Sequence, residues 1–236
     1  MGKVSSLQSL GTLDGPGIRF VVFMQGCPLR CACCHNPETH DLNGGEEYTA
    51  DEIVEKVLNY KEYFGETGGI TLSGGEPLLQ PDFAAEIFKK CKQNGINTCL
   101  DTSGCILNDK VKELLEYTDY CMLDIKYTTE EYYQKYVGCG IATPLAFLDY
   151  LNERCIPTRI RQVIVPTVND TDADTDALYS IIKDKKIDRV ELLPFKKICQ
   201  TKYDDMGKEF PFGDLPSADV NAVKTLQNRI NNMLKN

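Results

Sequence analysis

Four of the chain's 11 cysteines crowd into one short segment, Cys27-Pro-Leu-Arg-Cys31-Ala-Cys33-Cys34-His35-Asn36. Thiolates gathered this tightly hold a metal or exchange electrons. A structural zinc ion wants four closed ligands, usually from two knuckles well apart in sequence. No second cysteine pair follows, and His35 and His40 are the only histidines. A thioredoxin-like pair would use Cys31 and Cys34 at a helix N-terminus and leave Cys27 idle. An iron–sulfur cubane suits the spacing better, because its irons are separate attachment points that a short loop can reach. Such clusters ordinarily take four cysteines. Three, at 27, 31 and 34, leave one iron open to a reactant. The other seven cysteines are scattered and read as small buried hydrophobes.

Further along, Ser73-Gly74-Gly75-Glu76-Pro77 joins a carboxylate to two glycines. A carboxylate pairs with an ammonium group, and glycines let backbone approach a ligand closely. By itself the segment reads as a plain glycine turn. Asp101-Thr102-Ser103-Gly104, Asp124-Ile125-Lys126, Arg161 and Pro194-Phe195-Lys196 complete the unusual polar stretches.

All of these need a frame. Ile18–Met24, Gly69–Ser73, Asn97–Asp101, Tyr120–Ile125, Thr158–Val165 and Arg189–Leu193 are short β-rich runs. Helical patterns lie between them. Thr49-Ala50-Asp51-Glu52 is a capping box, and Pro81 suits a first helical turn. Val111, Leu114 and Leu115 mark a helix, and Thr128-Thr129-Glu130-Glu131 caps another. Pro144–Glu153, Asp174–Lys185 and Ser217–Leu234 are helical. Lys202–Pro216 is the least patterned stretch and reads as a long surface loop. The alternation predicts an α/β protein: a parallel-strand open partial barrel of (β/α)6 type, in one domain over residues 1–236. Its active site is expected at the C-terminal rim of the strands, where nearly every polar motif falls.

Composition bounds the rest. The 236 residues carry a net charge of −9, with 42% hydrophobic and 26% charged residues. Those fractions exclude disorder, collagen and coiled coil. Nucleic acid is not an expected partner, since binding it needs a concentrated positive face. Lys89-Lys90 and Lys185-Lys186 are the densest basic candidates. The longest apolar run, Phe20 to Met24, is far short of the ~20 residues that cross a membrane. With no apolar signal core at the start, a cytoplasmic location with reduced thiols is expected.

Cys27-x3-Cys31-x2-Cys34 resembles the signature of radical S-adenosylmethionine enzymes. Leu13-Asp14-Gly15-Pro16-Gly17-Ile18-Arg19 and Cys34-His35-Asn36-Pro37 narrow the resemblance to the activating enzymes of glycyl radical enzymes. Among these it is nearest to the group acting on pyruvate formate-lyase. The likeness runs from Asp14 to Pro194. It implies a 4Fe-4S cluster on Cys27, Cys31 and Cys34, with S-adenosylmethionine chelating the open iron. It implies an electron from a flavodoxin or ferredoxin-type donor, cleavage of the carbon–sulfur bond, and hydrogen abstraction from a backbone glycine of the partner. It also assigns Gly74, Gly75 and Glu76 to the cofactor's ammonium group. Cys33, His35, Asp124, Ile125, Lys126, Arg161 and Lys196 fall beside the cofactor. Asp101, Thr102, Met122 and Asp124 correspond to ligands of a monovalent cation.

Two departures stand out. Cys33 replaces an aromatic residue that lies along the adenine in the family, next to His35 of the motif. Lys196 stands where the family has a histidine. The alternatives are a radical enzyme acting on a small molecule, the activase of another glycyl radical enzyme, and a zinc-binding or electron-carrier module. The first of these predicts cofactor cleavage on adding a metabolite alone.

Overall fold

The computed structural model describes residues 1–235. The chain divides into two compact units, the first of Met1–Pro28 with Glu38–Met122, the second of Leu29–Pro37 with residues 123 onward. The predicted domain end at 236 lies outside the described residues.

The first unit holds strands β1 (Gly2–Gly11), β2 (Arg19–Met24), β3 (Glu46–Tyr48), β4 (Gly69–Gly74) and β5 (Asn97–Thr102). Its helices are α1 (Ala50–Leu58), α2 (Pro81–Gln93) and α3 (Asp109–Glu116). Strand β6 (Tyr120–Asp124) begins in this unit and ends in the second. The second unit continues with α4 (Glu130–Tyr136), α5 (Ala142–Glu153), β7 (Thr158–Ile164), α6 (Asp172–Ile182), β8 (Arg189–Pro194), α7 (Gln200–Asp205) and α8 (Val220–Met233).

Strand order is β3-β1-β2-β4-β5-β6 in the first unit and β6-β7-β8 in the second. Pairs β2–β4, β4–β5 and β7–β8 are parallel. The fold is α/β with an open, mostly parallel sheet, as expected. Parallel strands are covered on both faces, so they are built from near-continuous apolar runs. Val21, Val22 and Met24 of β2, with Ile70 and Leu72 of β4, are accordingly shut off from solvent.

All six predicted strands form within one residue at either end. Strands β1 and β3 are additions; β1 runs antiparallel to β2, and β3 runs antiparallel to β1. The polar run Ser5-Ser6-Leu7-Gln8-Ser9 shows little strand character of its own and leans on the edge of β2. At α1 the capping box forms, with Thr49 Oγ1 accepting from Glu52 N and Glu52 Oε2 accepting from Thr49 N. Lys202–Pro216 is not a surface loop throughout. It overlaps α7, and Tyr203, Phe210 and Phe212 are buried with Ala32, Val165, Phe195 and Cys199. Alternating polar residues hid these aromatics, which no helical or strand period connects. Helix α8 also starts later than Ser217, because Ala218 N is tied to Phe195 O (2.9 Å) and Asp219 caps through Asn221 N. Among the described residues no helix is long and apolar enough to cross a membrane.

Arg19 is fully buried at the start of β2. Its guanidinium donates to Thr71 Oγ1 (3.0 Å), Asn97 Oδ1 (2.9 Å), and the carbonyls of Pro16, Thr67, Ile70 and Asn97. The planar fork thereby closes the Asp14–Ile18 turn onto β4 and β5. A lysine has one point of charge and cannot reach this set. Arg19→Lys is expected to lose about 3 kcal/mol, from several buried carbonyls left without donors at about 1 kcal/mol or more each. An unchanged denaturant midpoint would rule out this role.

Candidate active site

In the first unit the segment carrying Cys27 leaves β2 through Gln25 and Gly26. Gly26 sits at φ +93. Its N–H donates to Thr39 O (3.0 Å), and Gln25 Nε2 donates to Glu38 O (3.1 Å) and Asp41 O (2.6 Å). The exit of β4 lies directly against it. Gly75 N donates to Met24 O (2.9 Å) and Glu76 N to Gly26 O (2.9 Å). A Cβ on Gly74 would fall 2.5 Å from Met24 N, and one on Gly75 2.2 Å from Gly26 O. Both glycines therefore admit neighbouring backbone, at the segment that presents Cys27.

Glu76 is 1% exposed. Its Oε1 accepts from Thr102 Oγ1 (2.5 Å) and Leu78 N (3.2 Å); its Oε2 accepts from Ser103 Oγ (2.5 Å) and Ser103 N (3.0 Å). A carboxylate offers about four lone-pair directions; these donors fill them, and the Cys105 thiol adds a longer contact to Oε2 (3.9 Å). Glu76 thus knots the exit of β4 to the exit of β5. Ser73 Oγ adds a bond to Asp101 Oδ2 (2.8 Å). Met122, on β6, is buried with Cys99 and Tyr120.

In the second unit Leu29–Pro37 is laid along the end of α4. Arg30 N donates to Val137 O (2.9 Å) and Ala32 N to Tyr136 O (2.8 Å). Cys34 N turns back to Cys31 O (3.0 Å), and Asn36 N donates to Cys34 Sγ (3.4 Å). Lys202 Nζ donates to Asn36 Oδ1 (3.1 Å). His35 Nε2 bonds Lys196 O (3.0 Å), so that nitrogen carries the proton. Burial holds His35 below its ordinary pKa, which keeps the ring neutral. The Lys196 side chain is exposed, and its contribution to the loop comes from its carbonyl. Cys27, Cys31 and Cys34 are half-buried. Cys33 packs against the Ala32–Phe195–Tyr203 core. Burial pushes its thiol up to about 11, against the pull of Lys126.

Around the end of β6 and the middle of β7 lies a half-buried ion triad. Asp124 Oδ1 takes Arg161 Nε (2.8 Å) and Oδ2 takes Lys126 Nζ (2.6 Å). Burial alone would raise the Asp124 pKa, but the two cations outweigh it and hold the carboxyl at about 2. Ile125 is locked beside them, with its N bonded to Arg161 O (3.0 Å) and its carbonyl to Gln162 Nε2 (3.1 Å).

The model of the radical SAM superfamily matches residues 21–179. A pyruvate formate-lyase-activating enzyme of Clostridium pasteurianum is 40% identical over 237 residues, spanning 100% of this chain and 99% of that one. This chain belongs to the radical SAM superfamily, in its pyruvate formate-lyase-activating family. A pyruvate formate-lyase 1-activating enzyme of Escherichia coli (strain K12) is likewise 40% identical, over 89% of this chain and 87% of its own length. The fold is shared with a solved domain of a pyruvate-formate lyase-activating enzyme from Bacteroides vulgatus, at TM-score 0.58 and 20% identity, covering 70% of this chain and 94% of that one.

As a radical SAM enzyme the chain uses a 4Fe-4S cluster on cysteine ligands and S-adenosylmethionine. The donor chemistry at Cys34 suits a cluster ligand. A backbone N–H directed at Cys34 Sγ stabilises a thiolate ligand, and main-chain bonds to α4 hold the loop that offers it. Sequence reasoning passed over Asn36 and Lys202 as supports of this loop, and over Ser103 as a partner of Glu76. Asn36 and Ser103 sit inside motifs already singled out; Lys202 gave no signal at all.

Proposed function

We propose that the chain activates a glycyl radical enzyme of the pyruvate formate-lyase type, by removing a hydrogen from a backbone glycine of that partner. What carries this reading is the 40% identity to a pyruvate formate-lyase-activating relative over essentially the whole of both chains. When bound, the cluster supplies the electron that cleaves the sulfonium of S-adenosylmethionine.

The chain's own residues bind and orient. Cys27, Cys31 and Cys34 hold the cluster, and the Asn36 N–H supports the Cys34 sulfur. The Gly74–Glu76 loop receives the cofactor's ammonium through its backbone, with the Glu76 carboxylate anchoring that loop to Thr102 and Ser103. Lys126 and Arg161 flank the cofactor as a charged pair set by Asp124. His35 and Lys196 brace the cysteine loop. Cys33 stays with the apolar core. For the monovalent cation, Asp101, Thr102, Met122 and Asp124 remain the proposed set. Within this set Asp124 already pairs with Lys126 and Arg161. The electron donor is a flavodoxin or ferredoxin-type protein, the compartment is the cytoplasm, and neither nucleic acid nor membrane takes part. The acidic net charge of −9 favours that exclusion.

The test is anaerobic incubation of the reduced protein and S-adenosylmethionine with a pyruvate formate-lyase-type enzyme. A glycyl radical doublet by electron paramagnetic resonance is expected. Cofactor cleavage driven by a small metabolite, with no radical on the protein partner, would overturn the proposal.

A further inference from the structure

Directly after Lys126, at the exit of β6, stands Tyr127, which is 2% exposed. Its hydroxyl is buried and has no hydrogen-bond partner among the described residues. Its ring is held on two sides by α4, with centroids 5.4 Å from Tyr136 and 5.8 Å from Tyr132, the latter edge-on at 89°. Tyr132 and Tyr136 touch each other as well (5.4 Å). Three rings in mutual contact leave the Tyr127 hydroxyl little freedom to turn toward another partner.

The same Tyr136 fixes the cysteine loop. Its carbonyl accepts from Ala32 N, the residue between Cys31 and Cys33 (2.8 Å). Tyr136 also packs, with Cys33, against the aromatic core of this unit. Tyr127 and the loop therefore share one support, and the hydroxyl lies within electrostatic reach of Cys33 and Cys31. A buried hydroxyl without a partner destabilises a fold, so its retention calls for a partner that arrives later. Next to a thiolate ligand, the group that arrives is rich in sulfur acceptors.

We propose that Tyr127 is a hydrogen-bond donor to the sulfur of the bound cluster at its Cys31 corner. It is a positioning and tuning residue rather than a catalytic one. Donors to cluster sulfurs favour the reduced, more negative state and raise the reduction potential. This inference rests on the ligand set proposed above, Cys27, Cys31 and Cys34. Tyrosine replaced by phenylalanine keeps the ring stack and deletes only the donor.

The experiment compares the wild type, Tyr127→Phe and Tyr132→Phe after anaerobic reconstitution. Iron content, midpoint potential and the hydrogen–deuterium sensitivity of the Fe–S stretching bands are measured. Tyr127→Phe is expected to load the same iron, to shift the potential to more negative values, and to lose part of the deuterium sensitivity. Tyr132→Phe is expected to match the wild type in all three. Thermal melts add a readout independent of activity. In the cluster-free protein Tyr127→Phe should melt no lower than the wild type, and in the loaded protein it should melt lower.

Normal iron with unchanged potential and bands in Tyr127→Phe overturns this inference alone. So does an unchanged potential with weakened S-adenosylmethionine binding, which would make the nucleotide the partner. A wild type that takes up no iron–sulfur cluster overturns both this inference and the ligand assignment beneath it.

Discussion

Cys34→Ser is expected to abolish cluster-dependent cleavage of S-adenosylmethionine, while Cys33→Ser retains it. The two thiols are adjacent in sequence and differ in surroundings. Cys34 sits at the close of a turn to Cys31 and receives the Asn36 N–H on its sulfur. Cys33 is packed among Ala32, Phe195 and Tyr203, where burial favours the neutral thiol. A ligand must be a thiolate, and a backbone donor stabilises that form whereas an apolar pocket opposes it. A serine oxygen is a poor substitute for iron, and loss of even a supporting contact typically costs about 10–100-fold in metal affinity. Loss of a ligand should exceed that, so cleavage in Cys34→Ser is expected to fall by more than about 100-fold. Iron content and 5′-deoxyadenosine yield, measured together on both variants, decide the matter. Full activity in Cys34→Ser with loss in Cys33→Ser would transfer the ligand role to Cys33.

The second large effect is at Glu76. Glu76→Ala removes a buried carboxylate and leaves its donors on Thr102, Ser103 and Leu78 N facing a cavity. Unsatisfied buried groups cost about 1–3 kcal/mol each, and the loop relaxes only in part. A loss of about 3 kcal/mol, or roughly 6–12 °C in Tm for a chain this size, is the expected result. Affinity for S-adenosylmethionine should fall as well, because the loop that receives it is no longer held. Glu76→Gln separates the two effects. It preserves the shape and part of the bonding, so stability should recover more than halfway, and calorimetry then reports binding on a folded protein. Undiminished Tm in Glu76→Ala would remove the anchoring role.

Local rules served the reading well wherever the chain's own chemistry was sufficient. The capping box at Thr49, the proline opening α2 and the apolar runs of β2, β4 and β7 produce the elements they predict. They failed where an element exists only because a neighbour offers it bonds. Strand β1 is polar and forms on the edge of β2, and Tyr203, Phe210 and Phe212 are drawn inward from a stretch without period. The motif residues were legible, but their roles were read too locally. At Gly74 and Gly75 the sequence did not show that an added Cβ would strike the backbone of Met24 and Gly26.

From its sequence alone the protein's family, its parallel α/β class and its cysteine motif were determined, because spacing along a chain is covalent and survives without a fold. Which thiol faces the loop and which the core, how the Glu76 carboxylate is saturated, and that Tyr127 carries an unanswered hydroxyl were decided only by tertiary structure. Burial and hydrogen-bond direction depend on residues tens to more than a hundred positions away, as in the bond from Lys202 to Asn36. No pattern within a local window carries that information.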